Sequence, residues 1–144
     1  MHVLVLNGPN LNLLGEREPG LYGTTSLDAV EARCRALGGE LGLDVRCLQS
    51  NHEGVLIDAV HDARHTGGGL VVNAGGYSHS SIALADALRA FPGRIVEVHV
   101  SNVHRREAFR QTSHVARVAE ATICGCGAMG YELALRFLAA DRPS

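Results

Sequence analysis

Lysine is missing from this chain: all 13 basic side chains are arginine. That excludes two chemistries at once, a Schiff base on a lysine amine and the lysine of a phosphate-binding loop. Basic residues are not in excess either. With 15 acidic residues the formal net charge is −2, which disfavours electrostatic binding to nucleic acid. No apolar run approaches the length of about 20 residues that spans a bilayer. The N-terminus, MHVLVLNGPN, has neither the basic region nor the cleavage site of a signal peptide, so the expected location is cytoplasmic. Cysteine occurs four times, and Cys124-Gly125-Cys126 lacks the CxxC spacing of a redox or zinc motif. Cys34, Cys47, Cys124 and Cys126 read as buried reduced thiols. The eight histidines include no HExxH or comparable ligand spacing, and His61 and His65, one helical turn apart, sit among polar neighbours on an exposed face.

At 144 residues the chain has room for one full core and not for two, so it is expected to form one domain, 1–144. Strand and helix patterns alternate along it. Val3-Leu4-Val5-Leu6 is a fully apolar run that reads as a buried strand. Thr25-Ser26 offers a helix N-cap, with Asp28 in the first turn and Leu27, Val30, Cys34, Leu37 and Leu41 at helical spacing; Gly38-Gly39 and Gly42 are expected to stop this helix. Residues 43–48 alternate and read as an edge strand because their other face is polar. A second helix carries Leu56, Val60 and Ala63. Leu70-Val71-Val72 suits a central parallel strand, and a third helix is expected to turn Ile82, Ala85 and Leu88 inward. Residues 94–100 form the fourth strand, a short helical piece follows around Arg105 to Arg110, and residues 118–124 form the fifth strand. A closing helix presents Met129, Leu133 and Phe137. Five strands alternating with helices imply a parallel three-layer α/β/α sandwich, with flavodoxin-like strand order 2-1-3-4-5.

The connection after the first strand is unusual. NGPNLNLLGEREPGLY, from Asn7 to Tyr22, is far longer than the roughly two to six residues such a turn needs. It mixes turn formers with Asn10, Arg17, Glu18 and Tyr22, and its length alone leaves open a binding lid or a plain surface excursion. In a parallel sheet, ligands sit outside the carboxyl ends of the strands. Asn10, Arg17 and Tyr22 follow the first strand, Asn73 and His79 the third, and Glu97, His99 and Ser101 end or follow the fourth, so several reactive side chains converge on one rim. Glu97 and His99, two apart on a strand, share a face at a spacing of about 6.6 Å. That spacing fits a carboxylate that orients an imidazole for acid–base work, and fits a buried structural pair equally well. Gly125-Cys126-Gly127-Ala128-Met129-Gly130 matches the GxGxxG of dinucleotide folds. Only 14 residues follow Gly130, so the second half of such a site cannot exist, and these glycines read as a tight turn with close helix packing.

In order and spacing, NGPNLNLLGEREPGLYG, LQSNHEG, NAGGYSHSS, EVHVSNVHRREAFR and GxGxxGYxLAL resemble type II 3-dehydroquinate dehydratase over essentially the whole chain. The resemblance implies a flavodoxin-like fold, no cofactor and no metal, a homo-oligomer of trimers assembled into a dodecamer, and conversion of 3-dehydroquinate to 3-dehydroshikimate in the shikimate pathway by anti elimination through an enolate. It implies that Tyr22 is the base, working as a phenolate. Free phenols hold their proton to about pH 10, so a cation is needed nearby, and Arg17 on the same loop can supply it. By the same resemblance His99 is the general acid for the departing hydroxyl, with Glu97 orienting and charging it. Asn10 stabilises the enolate oxygen through a bound water. Asn73, His79 and Arg110 hold substrate hydroxyls, and Val100 and Ser101 take the carboxylate. Asp86 reaches the site from a neighbouring subunit. The loop at about 15–23 closes as a lid. Gln111-Thr112-Ser113-His114 departs from the common pattern, so no role carries over to Ser113. A flavin- or nucleotide-binding module would instead call for a phosphate-binding Ser/Thr/Gly loop after the first strand, which Asn-Gly-Pro-Asn fits poorly. A phospho-acceptor domain would call for an acidic cluster there and a lysine later.

Overall fold

A strand with no polar face is stable only where both faces are covered. In the computed structural model, which describes residues 1–141, β1 (His2–Asn7) lies inside the sheet with Val3 to Asn7 buried. β2 (Asp44–Gln49), β3 (Gly69–Asn73), β4 (Arg94–His99) and β5 (Ala121–Cys124) join it in parallel, in the order β2-β1-β3-β4-β5. That is the expected order. β2 is an edge strand and exposes Asp44 and Arg46, as its alternation predicts. One face of the sheet packs on α2 (Leu27–Glu40) and α5 (Met129–Ala139), around Val5, Val71, Leu37 and Leu135. The other packs on α3 (Glu53–Ala63) and α4 (Ile82–Arg89), around Leu6, Leu70, Leu56 and Leu84. No described helix is long and apolar enough to cross a membrane.

Several local expectations are corrected. α2 begins where predicted, with the Ser26 hydroxyl accepting from the Ala29 N–H at 3.2 Å, but it runs through Gly38-Gly39 to Glu40. Gly38 is there for packing, since a Cβ at that position would run into Val45 of the neighbouring strand. α4 buries Leu84, Ala85 and Leu88, while Ile82 is 63% exposed. Residues three apart drift by about 60° per step around a helix, which carries the first of the series off the buried face. α5 is likewise rotated from expectation: Gly130, Tyr131, Ala134, Leu135 and Leu138 face inward, and Met129 is 60% exposed. Gly130 sets this phase by lying too close to Val98 for a larger residue to fit without displacement. The GxGxxG stretch is the tight turn expected, with Gly125 and Gly127 at φ of 83° and 61°. β5 is shorter than predicted. The segment around 105–110 forms two 3-10 turns, Val103–Arg105 and Ala108–Gln111. The thiols also divide: Cys34 is buried, Cys47 and Cys124 are partly covered, and Cys126 is exposed.

Candidate active site

Three adjacent strands end in polar residues on the same side of the sheet: β1 in Asn7, β3 in Asn73 and β4 in His99. Apolar side chains hold the strands in the interior, so these last residues are where the sheet can present hydrogen-bonding groups at the rim. The loop after β1 is fastened to the loop after β3. The Gly8 N–H donates to the Asn73 carbonyl at 2.8 Å, and Gly8 lies against the Ala74 backbone where no Cβ could fit. Asn10 adopts a left-handed conformation, φ 69°, and its N–H donates to Asn51 Oδ1 at 2.9 Å.

Farther along the same loop lies a helix the sequence pattern did not predict, α1 (Pro19–Tyr22). It is preceded by Glu18 in the left-handed region, φ 43°, a conformation that costs a residue bearing a Cβ about 1–2 kcal/mol. The reversal at Glu18 brings Arg17 back over Tyr22. Arg17 Nη2 donates to the Tyr22 phenol oxygen at 3.0 Å, and its Cζ lies 5.0 Å from the ring centroid. A second guanidinium reaches the same oxygen: Arg106 Nη1 donates to it at 2.7 Å and to Ser101 Oγ at 3.3 Å. One phenol oxygen thus accepts hydrogen bonds from two guanidinium groups that lie far apart in the chain.

To the same cavity that Tyr22 lines, β4 brings His99, with Glu97 two residues before it. Glu97 is 1% exposed, and its Oε2 lies 3.1 Å from His99 Nε2. The distance is within ion-pair range, but the ring nitrogen is not aligned with the carboxylate for a hydrogen bond. Hydroxyls complete the carboxylate: Ser113 Oγ donates to Oε2, and Thr122 Oγ1 donates to Oε1 at 3.4 Å. Burial pushes the Glu97 carboxyl up, but the imidazole and the two hydroxyls outweigh it and hold the group below the usual carboxylate range. His79 stacks beside His99, ring centroids 5.9 Å apart. Its Nδ1 is 2.8 Å from the Thr112 carbonyl, which can only accept, so Nδ1 carries a proton and Nε2 is the acceptor in the neutral ring. Desolvation pushes His79 below the ordinary histidine range, against the pull of that carbonyl, so the neutral form dominates at pH 7.

Asn10, Arg17, Tyr22, Asn73, His79, His99, Val100, Ser101 and Arg110 all line one cavity, and Arg106 lines it with them. Glu97 stands behind His99. Asp86 is not brought in by its own chain: it lies on α4, where its carboxylate pairs with Arg89 at 2.9 Å. Among the described residues no group of three or more His, Cys, Asp or Glu side chains could hold a metal ion. Sequence reasoning missed Arg106, because the Arg105-Arg106 pair gives no sign of which guanidinium turns inward. It also missed the bonds from Ser113 and Thr122 to Glu97, which join residues far apart in the chain. The cavity joins two cations on a phenol to a carboxylate-backed imidazole, with amide and backbone groups between. Such a set can remove a proton at one edge of a small polar ligand and return one at the other.

A profile of the family "Dehydroquinase class II" matches residues 1–139. The 3-dehydroquinate dehydratase of Ruegeria pomeroyi is 59% identical over 138 residues, covering 96% of this chain and 93% of the relative. The crystal structure of type II dehydroquinase from Propionibacterium acnes superposes with a TM-score of 0.94 at 46% identity, covering 97% of each chain. That from Butyrivibrio crossotus gives 0.95 at 39% identity, covering 97% of this chain and 98% of the other.

Proposed function

This chain belongs to the class II dehydroquinase family, and on that premise we propose that it acts in the shikimate pathway as a hydro-lyase, converting 3-dehydroquinate to 3-dehydroshikimate by anti elimination through an enolate. The observation that carries the mechanism is the double anchoring of the Tyr22 oxygen by Arg17 and Arg106, in the cavity that His99 also lines. As phenolate, Tyr22 takes the proton from the carbon beside the ketone. Electron density moves into the carbonyl, whose oxygen becomes the enolate and is held by Asn10 through a bound water. As the enolate collapses, the C–O bond to the departing hydroxyl breaks, and His99 supplies the proton that releases it as water. Buried Glu97, with its carboxylate 3.1 Å from Nε2, orients the imidazole for that step.

Asn73, His79 and Arg110 hold the remaining hydroxyls, while the backbone N–H groups at Val100 and Ser101 and the Ser101 hydroxyl take the substrate carboxylate. The segment at about 15–23 works as a lid that brings Arg17 to Tyr22. Asp86 serves a neighbouring subunit in a dodecamer built as four trimers. Its exposure on α4 beside the bare Ile82 supports an intersubunit role. The enzyme works in the cytoplasm.

The reaction makes a conjugated enone, so ultraviolet absorbance reads it directly. Tyr22→Phe is expected to lower kcat at least about a thousandfold while calorimetry still finds substrate bound. Near-normal turnover by that variant refutes the phenolate role. Activity is also expected to survive borohydride added with substrate present, as an imine-free route requires.

A further inference from the structure

Tyr131 belongs to the GYELAL stretch that opens α5, and it is fully buried, yet its hydroxyl does not point into an apolar core. It meets the ends of β1 and β3 on the face of the sheet that α5 covers. Asn73 Nδ2 lies 2.9 Å from it and Asn7 Oδ1 2.6 Å.

The polarity of this chain of bonds follows from one backbone group. The Gly75 N–H, which can only donate, lies 3.2 Å from Asn73 Oδ1, so that atom is the amide's oxygen and the atom facing Tyr131 is its nitrogen. Tyr131 therefore accepts from Asn73 and must send its single proton to Asn7 Oδ1. Burial pushes the Tyr131 phenol up and keeps that proton in place. With one Asn73 N–H bound to Tyr131 and the oxygen bound to Gly75, the second N–H is the amide's uncommitted group, and Asn73 lines the cavity. The relay is not an optimum of packing. It ends at Asn7, whose Nδ2 is buried without a partner among the described residues, a cost an apolar pair would avoid.

We propose that Tyr131 is a positioning residue that fixes Asn73 as a hydrogen-bond donor to the substrate, through the one-way relay Asn73 to Tyr131 to Asn7. Without the relay, the 3.2 Å bond from the Gly75 N–H alone opposes a turn of the Asn73 amide that would offer its oxygen where a substrate oxygen must be received. This deepens the functional reading above and rests on it for the substrate.

A double-mutant cycle tests the coupling. Tyr131→Phe is expected to lower kcat/KM for 3-dehydroquinate about tenfold in the native background and less than about twofold when Asn73 is already alanine. Equal losses in the two backgrounds, or no loss in either, overturn the relay. Should Tyr131→Phe fold poorly, Asn7→Ala removes the proton's acceptor while keeping the aromatic ring, and the same background dependence is expected. Neutron diffraction from the unaltered protein reads the polarity without an assay: a deuteron on Tyr131 aimed at Asn7 supports the relay, and one aimed at Asn73 overturns it. If the unaltered protein does not dehydrate 3-dehydroquinate, the functional reading fails while the neutron result still decides the relay.

Discussion

Tyr22 shows how much at this site depends on single side chains. One oxygen takes hydrogen bonds from Arg17, five residues away, and from Arg106, eighty-four residues away. The nearer partner is legible in the sequence because both lie on one loop. The farther one is not, since only the folded chain says which of two neighbouring arginines turns inward. Replacing Arg106 by methionine, which keeps the stem's bulk and removes the charge, is expected to lower kcat about 10- to 100-fold, comparably to Arg17→Met. Steady-state kinetics within about twofold of the unaltered enzyme would show that the second cation is idle. Glu97 gives a stability prediction with a definite sign. Its carboxyl is held below its ordinary value of 4.5 in the folded chain, so the folded state binds that proton less readily than the unfolded state. Its contribution is whole above pH 4.5 and is lost as the pH falls through the lower folded value. In Glu97→Gln, thermal denaturation measured from pH 7 down to pH 3 should therefore show a shallower acid decline, and an unchanged decline would contradict this.

At the scale of elements, the fold uses glycine in two opposite ways inside one helix. Gly38 and Gly39 are adjacent in α2, and in sequence they look alike, as a stop signal. In the structure Gly39 faces open space, whereas a Cβ on Gly38 would strike Val45. Gly39→Ala is thus expected to stabilise the protein by about 0.5–1 kcal/mol, the usual gain on replacing a helical glycine. Gly38→Ala should be destabilising, by about 1–3 kcal/mol, because the backbone of α2 or the Val45 side chain must shift. Urea denaturation of the two variants checks both, and gains of equal sign would show that α2 does not press on β2. The phase of α5 carries the same lesson, since spacing alone cannot choose its buried stripe when a close contact at Gly130 and the buried Tyr131 hydroxyl make the choice.

For the whole molecule, the way the last helix is tied to the sheet matters most. Arg94, at the start of β4, is 8% exposed; it pairs with Glu120 at 2.8 Å and donates to the Leu138 and Ala140 carbonyls that end α5, at 3.2 and 3.3 Å. Arg94→Ala leaves those carbonyls without their donor and is expected to cost about 2–4 kcal/mol, read as a lowered urea midpoint; a change below about 0.5 kcal/mol would rule the tie out. The thiols report on the packing of α2 against the sheet. Burial pushes Cys34 up to about 12 and Cys47 up to about 11, so at pH 8 an aromatic disulfide reagent should modify Cys126 quickly and Cys34 and Cys47 only after unfolding. Rapid labelling of all four would contradict the packing of α2 on the sheet. The sequence by itself determined the alternation of strands and helices, the strand order, the rim on which reactive residues gather and the family, because hydrophobic period and local motifs are properties of neighbours along the chain. Tertiary structure alone decided that Arg106 joins Arg17 on Tyr22, that Ser113 and Thr122 satisfy Glu97, and that Tyr131 links Asn7 to Asn73. Those contacts span 16 to 124 residues, and a hydrogen bond between such partners depends on where the sheet and helices bring their atoms, which no local pattern encodes.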